Sequence, residues 1–144
     1  MRSSDTRDRG GVRHVEGTVE LLQEVLKYEL ACAERYRRFV SLVMVKEGEK
    51  GAQLEHVLAD KVRDSDLLAE KNSNFLILMS ETDRNGARSA ISRFVDRDGE
   101  VHDFRFALVT YPNDSGSAEA LMEAVERRLV MADEEGPGAI VSGD

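Results

Sequence analysis

Apolar residues first recur at helical spacing: Val15, Val19, Leu22, Leu26, Leu30, Ala33 and Tyr36 lie three or four positions apart, marking one face of a long amphipathic helix. Val40–Val45 is a nearly continuous, Val-rich run, as a buried strand requires, and Gly48 and Gly51 break it. Leu54, Val57, Leu58 and Val62 restore helical spacing and predict a second helix ending near Asp64. Two short apolar runs, Leu67–Lys71 and Phe75–Met79, flank Asn72-Ser73-Asn74. That connection predicts a β-hairpin, because Asn tolerates the left-handed backbone of tight turns. Thr82 or Asp83 caps a third helix through Val95, with Ala87, Ala90, Ile91 and Phe94 inward. After a turn at Asp98-Gly99, Phe104–Tyr111 reads as a strand closed by Pro112-Asn113-Asp114. Ser117 opens a last helix with Leu121, Met122, Val125 and Leu129 inward. The order is helix, β-α-β-β-α-β, helix. It predicts an α+β fold with a ferredoxin-like, palm-type core and an antiparallel sheet covered by helices.

Composition narrows the function classes. The chain has 144 residues, 41% hydrophobic and 33% charged, which suits one core. Residues 1–13 hold four Arg, two Asp and a Gly-Gly pair and read as a flexible basic arm; 14–133 form the domain, and 134–144, with Gly136-Pro137-Gly138, a flexible tail. A net charge of −8 argues against nucleic acid as a partner, since that affinity rests on neutralising phosphates. The apolar runs are strand-length, so no membrane association is expected. With no signal-peptide pattern, the expected location is cytoplasmic. Cys32 stands alone and reads as a packed residue without a nucleophile's partners. His14, His56 and His102 lack metal-site spacing, and Ser115-Gly116-Ser117 lacks the glycines and lysine of a phosphate loop. No metal, cofactor or catalytic residue is expected from these residues.

Three segments carry a family resemblance. Leu26–Val45 resembles the opening helix and first strand of GGDEF domains, the bacterial diguanylate cyclases. Arg63–Ala69 followed by Phe75–Met79 resembles the approach to, and exit from, that family's signature hairpin. Ala107–Asp114 and Ser117–Met122 resemble its later strand, Tyr-Pro turn and final helix. The likeness spans roughly Val25–Ala132 in the family's order and implies a shortened, degenerate member.

The departures fall on the chemistry. In the family the first strand ends in Asp-x-Asp, whose carboxylates hold the divalent metal that phosphoryl transfer needs. Lys46 and Gly48 stand there, and Glu47 is on the wrong pleat to substitute. Asn72-Ser73-Asn74 replaces the Gly-Gly-Asp/Glu-Glu turn, so a Cβ occupies the space through which backbone approaches guanine. The helix that follows the family's first strand and the motif that precedes its domain are also missing. The resemblance thus implies a non-catalytic regulatory module, not a diguanylate cyclase.

Two partners suit such a module. Many cyclases of this family carry an inhibitory Arg-x-x-Asp before the hairpin, and Arg63 and Asp66 occupy that place. The pair suits cyclic di-GMP: a guanidinium can grip guanine or phosphate while a carboxylate accepts guanine N–H groups. The spacing also occurs at Arg2–Asp5 and Arg93–Asp96, so location alone recommends Arg63. The alternative is a protein partner or homodimer on the first helix, through Val19, Leu22, Leu26 and Leu30, with no nucleotide bound.

Overall fold

A computed structural model describes residues 18–47, 63, 65–95 and 104–143. The arm, Gly48, the expected helix around Leu54–Val62, the Asp98-Gly99 turn and the three histidines lie outside the described residues.

Helix α1 spans Val19–Tyr36; the Thr18 side chain caps it by accepting from the Leu21 N–H at 3.1 Å. Arg37 adopts the left-handed conformation at its end (φ 58°), and the Arg38 N–H reaches Ala33 O at 2.9 Å. Strand β1 (Val40–Glu47) follows. Strands β2 (Leu67–Lys71) and β3 (Asn74–Ser80) form the expected hairpin, with Asn72 and Ser73 at φ 52° and 71°. Positive φ at both central residues is the type I′ pattern that matches strand twist. Helix α2 (Arg84–Val95) is capped by Asp83, whose Oδ1 accepts from the Gly86 N–H at 2.8 Å. Strand β4 (Phe104–Tyr111) leads through a cis Tyr111–Pro112 bond to helix α3 (Ala118–Glu135), which Ser117 caps as expected.

The sheet order is β2-β3-β1-β4-β5, with β1 antiparallel to both β3 and β4. Alternation along β1 divides the core between two faces. Leu42 and Met44 meet Leu22, Leu26 and Leu30 of α1 and Leu121, Val125 and Leu129 of α3. Val43 and Val45 meet Ala87 and Ile91 of α2 together with Ile77, Phe104 and Phe106. The central strand is buried on both sides because helices cover both, which explains why it reads as a continuous apolar run.

Two expectations are corrected. The segment from 134 on, expected as a loose tail, completes α3 at Glu135 and contributes strand β5 (Ile140–Val141), parallel to β4. The Gly138 N–H donates to Phe104 O at 2.7 Å, and the Phe106 N–H to Ala139 O at 2.9 Å. Leu22, Leu26 and Leu30, expected as a docking seam, are buried, with Val19 packed against the same core. That stripe is inward-facing because one face of the sheet needs two helices to cover it.

Candidate functional site

Two clefts open at opposite ends of β1. The first, about 370 Å³, lies where the last residues of β1, the hairpin turn and the second half of α3 converge, lined by Lys46, Lys71, Asn72, Asn74, Glu126 and Asp133 over a floor that includes Met44 and Leu129. The resemblance places the family's metal carboxylates here. Lys46 instead donates from Nζ to Asp133 Oδ2 at 2.8 Å, and Arg105 Nε lies 3.4 Å from Asp133 Oδ1. The Lys46 hydrogen bond, aided by the charges of Lys46 and Arg105, holds the Asp133 carboxyl below its ordinary range. Lys71 pairs with Glu126 across the same opening. Cations stand on the sheet and acids on the helix, bridged across the cleft. Among the described residues, no three His, Cys, Asp or Glu side chains gather to hold a metal.

The second cleft, about 420 Å³, lies beyond the first residues of β1 beside the start of α2, and Phe39, Arg63, Thr82, Ser89 and Arg93 are among its lining residues. Here the structure brings Arg63 and Asp66 together. Arg63 donates from Nη2 to Asp66 Oδ1 at 3.0 Å and from Nε to Oδ2 at 3.3 Å, a forked pairing. Its Nη2 also reaches Thr82 Oγ1 at 2.9 Å, and that hydroxyl donates to Ser80 O at 2.8 Å. The Asp66 hydrogen bond raises the Arg63 pKa against the opposing effect of burial, so the guanidinium stays charged.

Their roles separate. Asp66 is 4% exposed with both oxygens facing Arg63, which corrects the expectation that it would accept from a ligand. Arg63 keeps half its side chain exposed, held by Asp66 and Thr82 so that Nη1 remains without a partner among the described residues. Arg93, from another of the Arg-x-x-Asp matches, lines the same cleft, which its sequence position alone did not reveal.

Sequence reasoning also missed the cluster at the far end of β4. Arg128, 4% exposed, donates from Nη2 to Asp114 Oδ1 at 2.9 Å and from Nη1 to Leu108 O at 2.8 Å. Asp114 Oδ2 accepts from the Thr110 N–H at 2.8 Å, and Arg84 Nη2 lies 3.5 Å from Oδ1. Burial alone would raise the Asp114 pKa, but hydrogen bonds from Arg128 and Thr110 and the charges of Arg128 and Arg84 outweigh it and lower the value. The signal was available: Arg128 falls on the inward register of Leu121, Val125 and Ala132, where a charge needs a buried partner.

No protein-family model and no curated protein sequence matches the chain. Solved structures do. The GGDEF domain of YfiN (TpbB) from Pseudomonas aeruginosa superposes at TM-score 0.80 and 13% identity, covering 89% of this chain and 96% of that one. The active GGEEF domain of a diguanylate cyclase from Vibrio cholerae matches at TM-score 0.70 and 12% identity over 91% and 97% of the two chains. A microbial GGDEF domain described in its interaction with cyclic di-GMP matches at TM-score 0.67 and 12% identity over 85% and 88%. The chain has the GGDEF-domain fold, with a palm-like α+β core as expected. Among the described residues, no helix is long and apolar enough to cross a membrane.

Proposed function

We propose that the chain is a non-catalytic GGDEF-fold regulatory module that binds cyclic di-GMP in the Arg63 cleft. The observation that carries the binding is the arrangement of Arg63: a half-exposed guanidinium fixed on its inner side by Asp66 and Thr82, opening into a cleft shared with Arg93. A pre-oriented guanidinium loses little freedom on binding, and two of them suit a phosphodiester or the acceptor edge of guanine. Phe39, 41% exposed and lining the same cleft, is an aromatic side chain suited to stacking with a base. One structural neighbour is described with cyclic di-GMP, which supports that choice of ligand.

The non-catalytic part rests on Lys46 and its bridge to Asp133, which puts an ammonium where metal-assisted phosphoryl transfer needs a carboxylate. Incubation with GTP and Mg²⁺ or Mn²⁺ is expected to yield no cyclic di-GMP. Calorimetric titration with cyclic di-GMP tests the binding. Arg63→Ala is expected to weaken it roughly 10- to 100-fold, about 1.5–3 kcal/mol for a charged hydrogen-bond partner. Absence of heat at high micromolar nucleotide, with the chain folded, would end the reading.

A further inference from the structure

Two hydroxyls are buried inside the sheet and lead to the Arg63 cleft. Ser41 of β1 and Thr110 of β4, both fully buried, stand opposite each other with Oγ and Oγ1 2.8 Å apart. Ser41 interrupts the apolar run Val40–Val45, and its Oγ donates to the Thr82 carbonyl at 2.8 Å. A hydroxyl has one proton to give. The Thr82 carbonyl can only accept, so Ser41 spends its proton there and Thr110 supplies the one between the two hydroxyls. Arg63 can only donate, so Thr82 Oγ1 receives its Nη2 at 2.9 Å and turns its own proton to Ser80 O at 2.8 Å. Every proton direction from Thr110 to Thr82, and from Arg63 to Ser80, is thereby fixed.

Thr82 depends on this support. It follows Glu81, whose φ of 52° is a left-handed conformation that residues with a long side chain adopt at a cost. The turn between β3 and α2 therefore keeps its path through bonds from outside it. Two of them hold the Thr82 backbone: the Ser41 hydroxyl on its carbonyl, and Phe39 O, which accepts from its N–H at 3.2 Å. We infer that Ser41, backed by Thr110, is a positioning residue for Arg63: its buried hydroxyl fixes Thr82, and Thr82 fixes the guanidinium that opens into the cleft. For affinity this role rests on the proposed binding of cyclic di-GMP, whereas the hold on Arg63 is measurable with no nucleotide present.

Nitrogen-15 NMR of the full chain measures that hold. The Arg63 Nη protons, identified by their loss in Arg63→Ala, are expected to exchange with water about threefold faster or more in Ser41→Ala. Unchanged exchange would overturn the inference, whether or not nucleotide binds. Calorimetry reads the affinity: Ser41→Ala is expected to weaken cyclic di-GMP about three- to tenfold, the worth of one hydrogen bond. In the Arg63→Ala background the same change is expected to add nothing, because Ser41 acts through Arg63. An equal loss in that background would mean a general effect on the fold and refute the role. Thr110→Val keeps the side chain's shape and is expected to weaken binding less than Ser41→Ala, since Ser41 keeps its proton on the Thr82 carbonyl; a larger loss would contradict the order of the chain. Leu26→Ala lowers stability from the opposite face of the sheet and is expected to leave the affinity unchanged. Weaker binding there would show that lost stability alone explains the Ser41 effect. A chain that holds Arg63 as described but gives no heat with cyclic di-GMP would overturn the nucleotide reading and leave the positioning role standing.

Discussion

Replacing Arg128 by Met keeps the length and most of the apolar contact of the side chain and removes its charge and donors. The exposures of Arg128 and Asp114, 5% and 9% for the side chains, place the pair among buried ion pairs. Removing one partner of such a pair typically costs 3–5 kcal/mol, because the other charge stays behind without compensation. Asp114 would retain the Thr110 N–H at 2.8 Å and Arg84 at 3.5 Å, which reduces that cost. The carbonyl of Leu108 would lose its donor, which adds to it. The expected loss is about 3 kcal/mol. With a urea m-value of about 1.5 kcal/mol/M, the midpoint of unfolding falls by roughly 2 M. The effect is tied to pH through Asp114, whose folded pKa is lowered. The stability it contributes is complete above the ordinary carboxylate pKa of about 3.9 and disappears as pH falls through the lower folded value. The gap between the unaltered chain and Arg128→Met is therefore full at neutral pH and narrows below about pH 4. A loss under about 0.5 kcal/mol at pH 7, the range of ordinary surface substitutions, would refute the reasoning.

Leu26→Ala on the inner stripe of α1 is expected to cost about 2–5 kcal/mol in the same assay, since Leu26 is fully buried between helix and sheet. Ser73→Gly is expected to raise stability by about 0.5–1 kcal/mol, because a residue at φ 71° in a type I′ turn no longer carries a Cβ, and a higher melting temperature would show it. Lys46→Met should change stability by no more than about 1 kcal/mol, as its bridge to Asp133 joins side chains 39% and 42% exposed. A larger loss in urea would mean that the cation contributes more to the fold than its solvent exposure implies.

Periodicity in the chain was enough to locate α1, the hairpin and the last helix, because each buries one regular stripe or alternation. It did not say what covers the Leu22-Leu26-Leu30 stripe of α1, which the position of the sheet turns into the core. Strand β5 was invisible because two residues after a Gly-Pro-Gly turn have no period to detect. At the candidate site, motif spacing located Arg63 and Asp66 as neighbours but could not apportion their roles, since the burial of Asp66 and the hold of Thr82 on Arg63 are set by the fold. The Lys46–Asp133 bridge joins residues far apart in sequence. It could be seen at its Lys46 end alone until α3 was placed beside β1.

The Arg128–Asp114 pair has one more consequence, for solubility. Strand β4 would be an open sheet edge along most of its outer side, and such edges template pairing with other chains. Ile140–Val141 is too short to cover it, meeting only Phe106 and Ala107, with the preceding turn reaching the Phe104 carbonyl. Beyond that point side chains take over: Arg128 occupies the Leu108 carbonyl, while Asp114 takes the Thr110 N–H through its carboxylate and the Thr110 carbonyl through its own N–H. An ion pair and two residues of strand together stand in for a neighbouring strand, so losing Arg128 should cost resistance to aggregation as well as folding free energy.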